Sequence, residues 1–241
     1  MSKCRLIFIV IMMTVFAITC SLISSFLIKK TSINSPYTDE FIDEMKESAK
    51  QGNVQAQYNL GMMYKGDINH SSYDSPKNYK EAIQWLTKVA EQGNVNGQVN
   101  LASMYEDGQG TPQNYEEAIK WYTQAATQGD ADAQYALGLV YRRALKNDKE
   151  AFEWYTKAAE KGHEDAQFTL ASMYQYGQGV PQNDEQAYIW ASLATAQYDA
   201  PENAEKLRDL AAEKLTPEQL IAAQQRAAEL QKQIEANAKT P

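Results

Sequence analysis

From position 52 onward the chain alternates two apolar patterns, each read four times. The first is "GNVQAQYNLGMMY" from 52, "GNVNGQVNLASMY" from 93, "GDADAQYALGLVY" from 129 and "GHEDAQFTLASMY" from 162. In it Ala56, Leu60 and Met63 form one stripe and Gln57, Gly61 and Tyr64 the next, both with the i, i+4, i+7 spacing of a helix. The second pattern is "EAIQWLTKVAEQG", "EAIKWYTQAATQG", "EAFEWYTKAAEKG" and "QAYIWASLATAQY". Ala82, Trp85 and Val89 give it one apolar face. Asn53, Asn94 and Asp130 stand where a side-chain oxygen can cap a helix start, and Gly93, Gly129 and Gly162 where a helix can close in the left-handed region. Each unit is therefore expected to be helix, turn, helix.

The Gly-to-Gly steps are 41, 36 and 33 residues. The long step comes from the insertion "INHSSYDSPKN" in the first unit, the short one from "RRALKN" in the third. Variation confined to one connection is what a surface loop tolerates. Small residues recur where two helices must approach: Ala56, Gly97, Ala133 and Ala166 at one register, Gly61, Ala102, Gly138 and Ala171 at another. Trp85, Trp121, Trp154 and Trp190 occupy one place in each unit. A buried ring of that size contributes about 4–6 kcal/mol gross, and one hairpin offers no wall for it. Stacked hairpins do.

A third stripe on the first helix does not repeat its residue types. It reads Gln55, Asn59 and Met62; Asn96, Asn100 and Ser103; Asp132, Ala136 and Leu139; Asp165, Thr169 and Ser172. Positions released from the packing rule are free for recognition or for water, and helix-lined grooves of repeat arrays bind partners. These twelve residues are the candidate partner-binding groove. Amides, hydroxyls and two apolar spots suit an extended peptide.

The ends differ from the middle. "DEFIDEMKESAKQG" from 39 matches only a second helix, with Thr38 as its cap and Asp39 and Glu40 at its positive end. "PENAEKLRDLAAEKL" and "TPEQLIAAQQRAAELQKQIEA" predict two closing helices, the latter with a Thr216–Gln219 capping box and Pro217 in its first turn. The expected organisation is an N-terminal membrane or signal segment over 1–30, a linker over 31–38, a capping helix over 39–51, four repeats over 52–200 and C-terminal capping helices over 201–241.

The run A-D-A-Q-Y-x-L-G with a following Tyr, then G-x-G-x-P-Q-N, E-A and W-Y-x-K-A-A-x-x-G, resembles the Sel1-like repeat family, relatives of the tetratricopeptide repeats. The likeness covers about residues 39–230. It implies an all-α, right-handed α-solenoid whose concave surface is lined by first helices, and a role as an adaptor in protein complexes, often bacterial and exported. The third unit lacks the family's Gly-Pro turn, and Tyr198 stands where Gly is expected. A cysteine-rich branch of the family is linked to β-lactam binding and hydrolysis. This chain has neither the paired cysteines of that branch nor a Ser-x-x-Lys.

Charge narrows the partner class. The net charge is −8; four of the 23 basic side chains and none of the 31 acidic ones precede position 31. The remainder thus carries 12 more acids than bases, which argues against nucleic acid and against docking on anionic lipid. Residues 6–28 carry no charge and follow Lys3 and Arg5. At about 1.5 Å per residue they are long enough to span a membrane. An uncleaved anchor, a cleaved signal peptide and a lipoprotein acylated at Cys20 are the three open outcomes. All three place the repeats in the periplasm or another extracytoplasmic space. Cys4 and Cys20 are the only cysteines, so the repeats hold no disulfide.

The glycines of "YEDGQGTPQNYEEA" and "YQYGQGVPQNDEQA" recur 69 residues apart with no Lys-Ser or Lys-Thr after them, which makes them turns and not phosphate loops. His70 and His163 share no ligand spacing. The chain is expected to be no enzyme and to need no cofactor or metal. Its expected partner is a protein or peptide, with a purely structural envelope role and a β-lactam-related activity as alternatives.

Overall fold

The computed structural model describes residues 39–66, 78–196 and 203–238. Eleven α-helices and no strand occur among them: α1 Asp39–Lys50, α2 Val54–Lys65, α3 Tyr79–Glu91, α4 Val95–Asp107, α5 Tyr115–Thr127, α6 Ala131–Arg143, α7 Asp148–Glu160, α8 Glu164–Tyr176, α9 Asp184–Thr195, α10 Ala204–Ala212 and α11 Pro217–Ala238. The expected membrane or signal segment, the Thr38 cap, most of the first unit's insertion with His70, and Tyr198 lie outside the described residues. No helix among the described residues is long and apolar enough to cross a membrane. The chain divides into two compact units after Trp85, within α3.

In the first unit, α1 packs on α2. Ile42, Met45 and Ala49 from α1 meet Ala56, Leu60 and Met63 from α2, with Tyr64 and Trp85 partly buried against them. In the second unit successive helices pack as hairpins, α4 on α5, α6 on α7 and α8 on α9, and each hairpin packs on the next. The largest apolar cluster runs from α7 to α11 and includes Tyr155, Leu170, Met173, Ile189, Trp190 and Leu193, closed by Leu207 and Ala211 of α10 and by Ala223, Ala227 and Ile234 of α11.

The caps follow the sequence pattern. Asn53, Asn94 and Asp130 accept from the backbone N–H of Ala56, Gly97 and Ala133 at 2.9, 2.9 and 2.7 Å. His163 fills the same place with its ring, Nδ1 accepting from Ala166 N–H at 3.3 Å. At α11 the Thr216 N–H donates to Gln219 Oε1 at 2.9 Å and the Gln219 N–H to Thr216 Oγ1 at 3.3 Å, a reciprocal capping box.

A bond not read from the sequence recurs in every repeat. Gln57, Gln98, Gln134 and Gln167 are buried, and each donates Nε2–H to a carbonyl eight residues earlier: Ala49, Ala90, Ala126 and Ala159, at 2.9, 3.2, 3.0 and 3.2 Å. Those carbonyls belong to the last turn of the preceding helix, where no intrahelical donor remains. One side chain thus ties the end of each second helix to the first helix that follows.

The tryptophans do not share one environment. Trp121 and Trp190 are buried, whereas Trp85 and Trp154 are half-buried. The Trp154 ring carries the Lys157 ammonium 3.7 Å from its centroid, so its outer face is covered by a cation and not by a neighbouring hairpin.

The turns explain the glycines. Gly177 and Gly179 have φ of 65° and 73°. A Cβ on Gly179 would stand 2.8 Å from the backbone of Asp148, because the turn after α8 lies against the start of α7. In the third unit, where "RRALKN" replaces that turn, Lys146 takes φ 54° and Asn147 caps α7. A non-glycine there costs about 1–2 kcal/mol.

Helices also approach closely at Gly138, where a Cβ would lie 2.6 Å from the Tyr155 ring, which is fully buried. Gly138→Ala is expected to destabilise the protein by about 1–3 kcal/mol in urea unfolding. Combined with Tyr155→Leu, its added cost should shrink by more than about 0.5 kcal/mol, since the ring it strikes is gone. Strict additivity would show that this contact does not set the approach.

Candidate partner-binding face

The third stripe of each first helix begins at the surface and dips into the fold. In the second unit Asn96, Asp132 and Asp165 are exposed, and Asn100, Ser103, Ala136, Leu139, Thr169 and Ser172 are half-buried. In the first unit Gln55 is exposed, and Asn59 and Met62 are half-buried. None of the twelve belongs to the core, while their helical neighbours Ala133, Gln134, Leu137 and Gly138 do.

Several of these side chains are held. Gln55 Nε2–H donates to Asn59 Oδ1 at 2.9 Å, and Asn100 Nδ2–H to the Asn96 carbonyl at 2.9 Å. Ser103 lies beside the Tyr122 hydroxyl, and Thr169 beside that of Tyr135. Asp132 lies 3.5 Å from His163 Nε2. His163 also stacks on Tyr135, with ring centroids 4.5 Å apart and planes 28° apart. Tyr135 in turn tilts against Tyr155 at 5.5 Å. The stripe is therefore joined to the next repeat through an aromatic ring that the sequence pattern had not singled out. Tyr58, Val99, Tyr135 and Phe168 share that register, and the signal was available there.

The titratable groups near the stripe are governed by burial. Desolvation raises Glu106 above the usual carboxylate range, against the hydrogen bond it accepts from Tyr122 Oη at 3.0 Å. Burial also lifts Tyr122, with Glu106 adding to it. Tyr155 is pushed up to about 12 by burial, against the pull of the Arg142 guanidinium, whose Nη2 donates instead to Gln178 Oε1 at 2.6 Å. These phenols stay protonated near neutral pH; Tyr122 donates to Glu106, whereas the buried Tyr155 hydroxyl finds no partner among the described residues. No group of three His, Cys, Asp or Glu able to hold a metal occurs among the described residues. A cavity of about 340 Å³ opens beside Ser172, lined by Phe168 and Tyr176 of α8 and by Asn203, Lys206, Leu207 and Leu210 at and within α10.

Helical hairpins tied end to end by a repeated glutamine, with small residues at fixed registers, define an α-solenoid repeat protein. The Sel1 repeat family model matches residues 54–94, 95–130, 131–163 and 164–199, and the chain belongs to this family. The family is generally a non-catalytic protein-interaction fold. A Sel1 repeat protein from Oxalobacter formigenes is similar at 28% identity over 73% of this chain and 77% of that one, with a TM-score of 0.56. A protective antigen present in uropathogenic Escherichia coli, displaying an SLR fold, is 31% identical over 82% of this chain with a TM-score of 0.47; the chain spans 50% of that antigen. An immunity protein from Pseudomonas aeruginosa is 16% identical over 89% of this chain and 83% of that one, at a TM-score of 0.41. No curated protein matches the chain.

Glu106 gives the face a pH signature. Its folded-state pKa lies above the usual 4.5, so the stability linked to it is full below the unfolded-chain value and falls as pH rises through the folded one. Glu106→Gln keeps an acceptor for Tyr122 and removes the charge. Unfolding measured between about pH 4 and pH 8 should show a smaller decline in the variant and a more stable variant at neutral pH. An equal decline in both proteins would contradict the assignment.

Proposed function

We propose that this chain is a non-catalytic scaffold that holds a protein or peptide partner on the face made by the third stripe of α4, α6 and α8, outside the cytoplasm. The observation that carries the reading is the split within each first helix. One stripe repeats its residues and is buried, and the adjacent stripe changes its residues and is exposed or half-buried. Asn96, Asn100 and Ser103 offer amide and hydroxyl groups, Ala136 and Leu139 two apolar spots, and Asp165, Thr169 and Ser172 a polar end. Backbone groups of an extended peptide are satisfied by such side chains, and its apolar side chains by the spots between them. Gln55, Asn59 and Met62 hold the same positions on α2 of the first unit. Membership of an interaction family supports a partner-holding role. The charge-free run 6–28 behind Lys3 and Arg5 supports an extracytoplasmic setting, as anchor or export signal.

Site-specific photo-cross-linking in cells tests this. A benzoylphenylalanine placed singly at Asn100, Ala136 or Thr169 is expected to give one recurrent protein adduct. The same group at Lys149 or Glu153, on the exposed side of α7, should not. Asp132→Lys, introduced alongside, should cut the adduct yield several-fold. Adducts confined to the α7 positions would overturn the groove reading.

A further inference from the structure

The cavity beside α8 has a structural cause. Within the second unit, each first helix is followed by a second helix and then by the first helix of the next repeat. After the last hairpin, α10 takes that place, packing on α9 and touching α8. α8 has 13 residues and α10 only nine. Tyr135 of α6 is covered by His163 and Thr169 of the next repeat. Its counterpart Phe168 faces the shorter helix and lines open space instead. The end of α8 is left uncovered: Tyr176 is 61% exposed, and Leu210 across from it 38%.

The lining has one kind of charge. Among the described lining residues Lys206 is the only ionisable group besides the Tyr176 phenol, and Glu205 and Asp209 of the same helix do not line it. Arg208 and Lys214 are paired with Asp209 and Asp184, whereas Lys206 forms no ion pair among the described residues. Asn203, at the head of α10, makes no side-chain capping bond. On a chain with 31 acidic and 23 basic side chains, an apolar hollow edged by an ammonium that is unpaired among the described residues reverses the local sign. A volume of about 340 Å³ lies at the small end of ligand pockets and admits a single large side chain.

We infer that this cavity is an anchor pocket for an acidic peptide segment, taking one aromatic or large aliphatic side chain between Phe168, Tyr176, Leu207 and Leu210 while an adjacent carboxylate meets Lys206. The inference deepens the partner-holding reading and rests on it, because Ser172, the last residue of the stripe, is also a wall of the pocket. It assigns the partner's chemistry: an extended segment with Asp or Glu flanking a bulky apolar residue, anchored at the C-terminal end of the face.

The test uses the full-length chain and four probes: the acetylated, amidated peptide Gly-Ser-Asp-Phe-Asp-Ser-Gly, its Phe-to-Ala form, its form with Lys in both Asp positions, and decanoate. NMR signals of the Leu207 and Leu210 methyls and of the Phe168 and Tyr176 rings are followed during titration. The Asp-Phe-Asp peptide should give saturable shifts at about millimolar concentration, and the Phe-to-Ala form at least tenfold weaker binding. Leu210→Asp, at a half-exposed position, should abolish the shifts without unfolding the chain. Lys206→Glu should weaken the Asp peptide about fivefold and strengthen the Lys peptide, a reversal that lost folding cannot mimic. Absence of saturation, or a Lys206→Glu variant with unchanged preference, overturns the inference. Saturation by decanoate alone overturns it too, in favour of a small amphipathic acid. Cross-links from Asn100 and Thr169 that persist in the Lys206→Glu and Leu210→Asp variants would remove the anchor pocket and leave the groove standing. Peptide shifts without those cross-links would do the reverse.

Discussion

The glutamine at Gln57, Gln98, Gln134 and Gln167 is the constraint on which the array depends. A buried amide is costly unless paired, and the last carbonyls of a helix need donors from outside it. The Nε2–H supplies that donor with one bond across a tight turn, while Oε1 of Gln134 and Gln167 is left without a partner among the described residues. The same carbonyls of Ala49, Ala90, Ala126 and Ala159 also accept from the glycine N–H three residues on. Turn, helix end and helix start are thereby fixed in one geometry. Leucine at that register would supply apolar area but leave the carbonyl with the glycine N–H alone and the angle between helices unset. The small residues then act within that geometry. Gly97 lies where a Cβ would meet Val89 at 2.5 Å, and Gly138 where it would meet Tyr155.

Much of this was legible because helices have a period. The registers of Ala56, Leu60 and Met63, the caps at Asn53, Asn94 and Asp130, and the capping box at Thr216 all follow from local rules and appear as expected. The role of the glutamines was not legible. A buried glutamine and a surface glutamine look alike in sequence, and their distinction lies in a carbonyl whose need arises only when the previous helix ends. The unequal tryptophans were missed for a related reason. Trp154 and Trp190 share a register, but Lys157 covers one ring while hairpin packing covers the other.

The candidate face was readable as variation, and its connections were not. Asp132 and Thr169 were picked out as variable positions; their link through His163 and Tyr135 runs between repeats, which no single-helix pattern encodes. The pocket beside α8 is further from the sequence still. It exists because one helix is shorter than its neighbour, a difference in length and not in residue type. Under the proposed reading, recognition and packing divide along the same helices, by stripe, so that the face can change without disturbing the tie at each turn.

A stack of like hairpins contains no instruction about where to stop, since every new surface resembles the one just covered. α11 supplies that instruction. Its 22 residues seat Ala223, Ala227 and Ile234 against the last hairpin and turn glutamine, lysine and glutamate outward. α11 thus covers the last hairpin with a largely polar outer side. The closing rod gives the array an outer side unlike its repeating one, and such a polar end works against end-to-end growth into fibres.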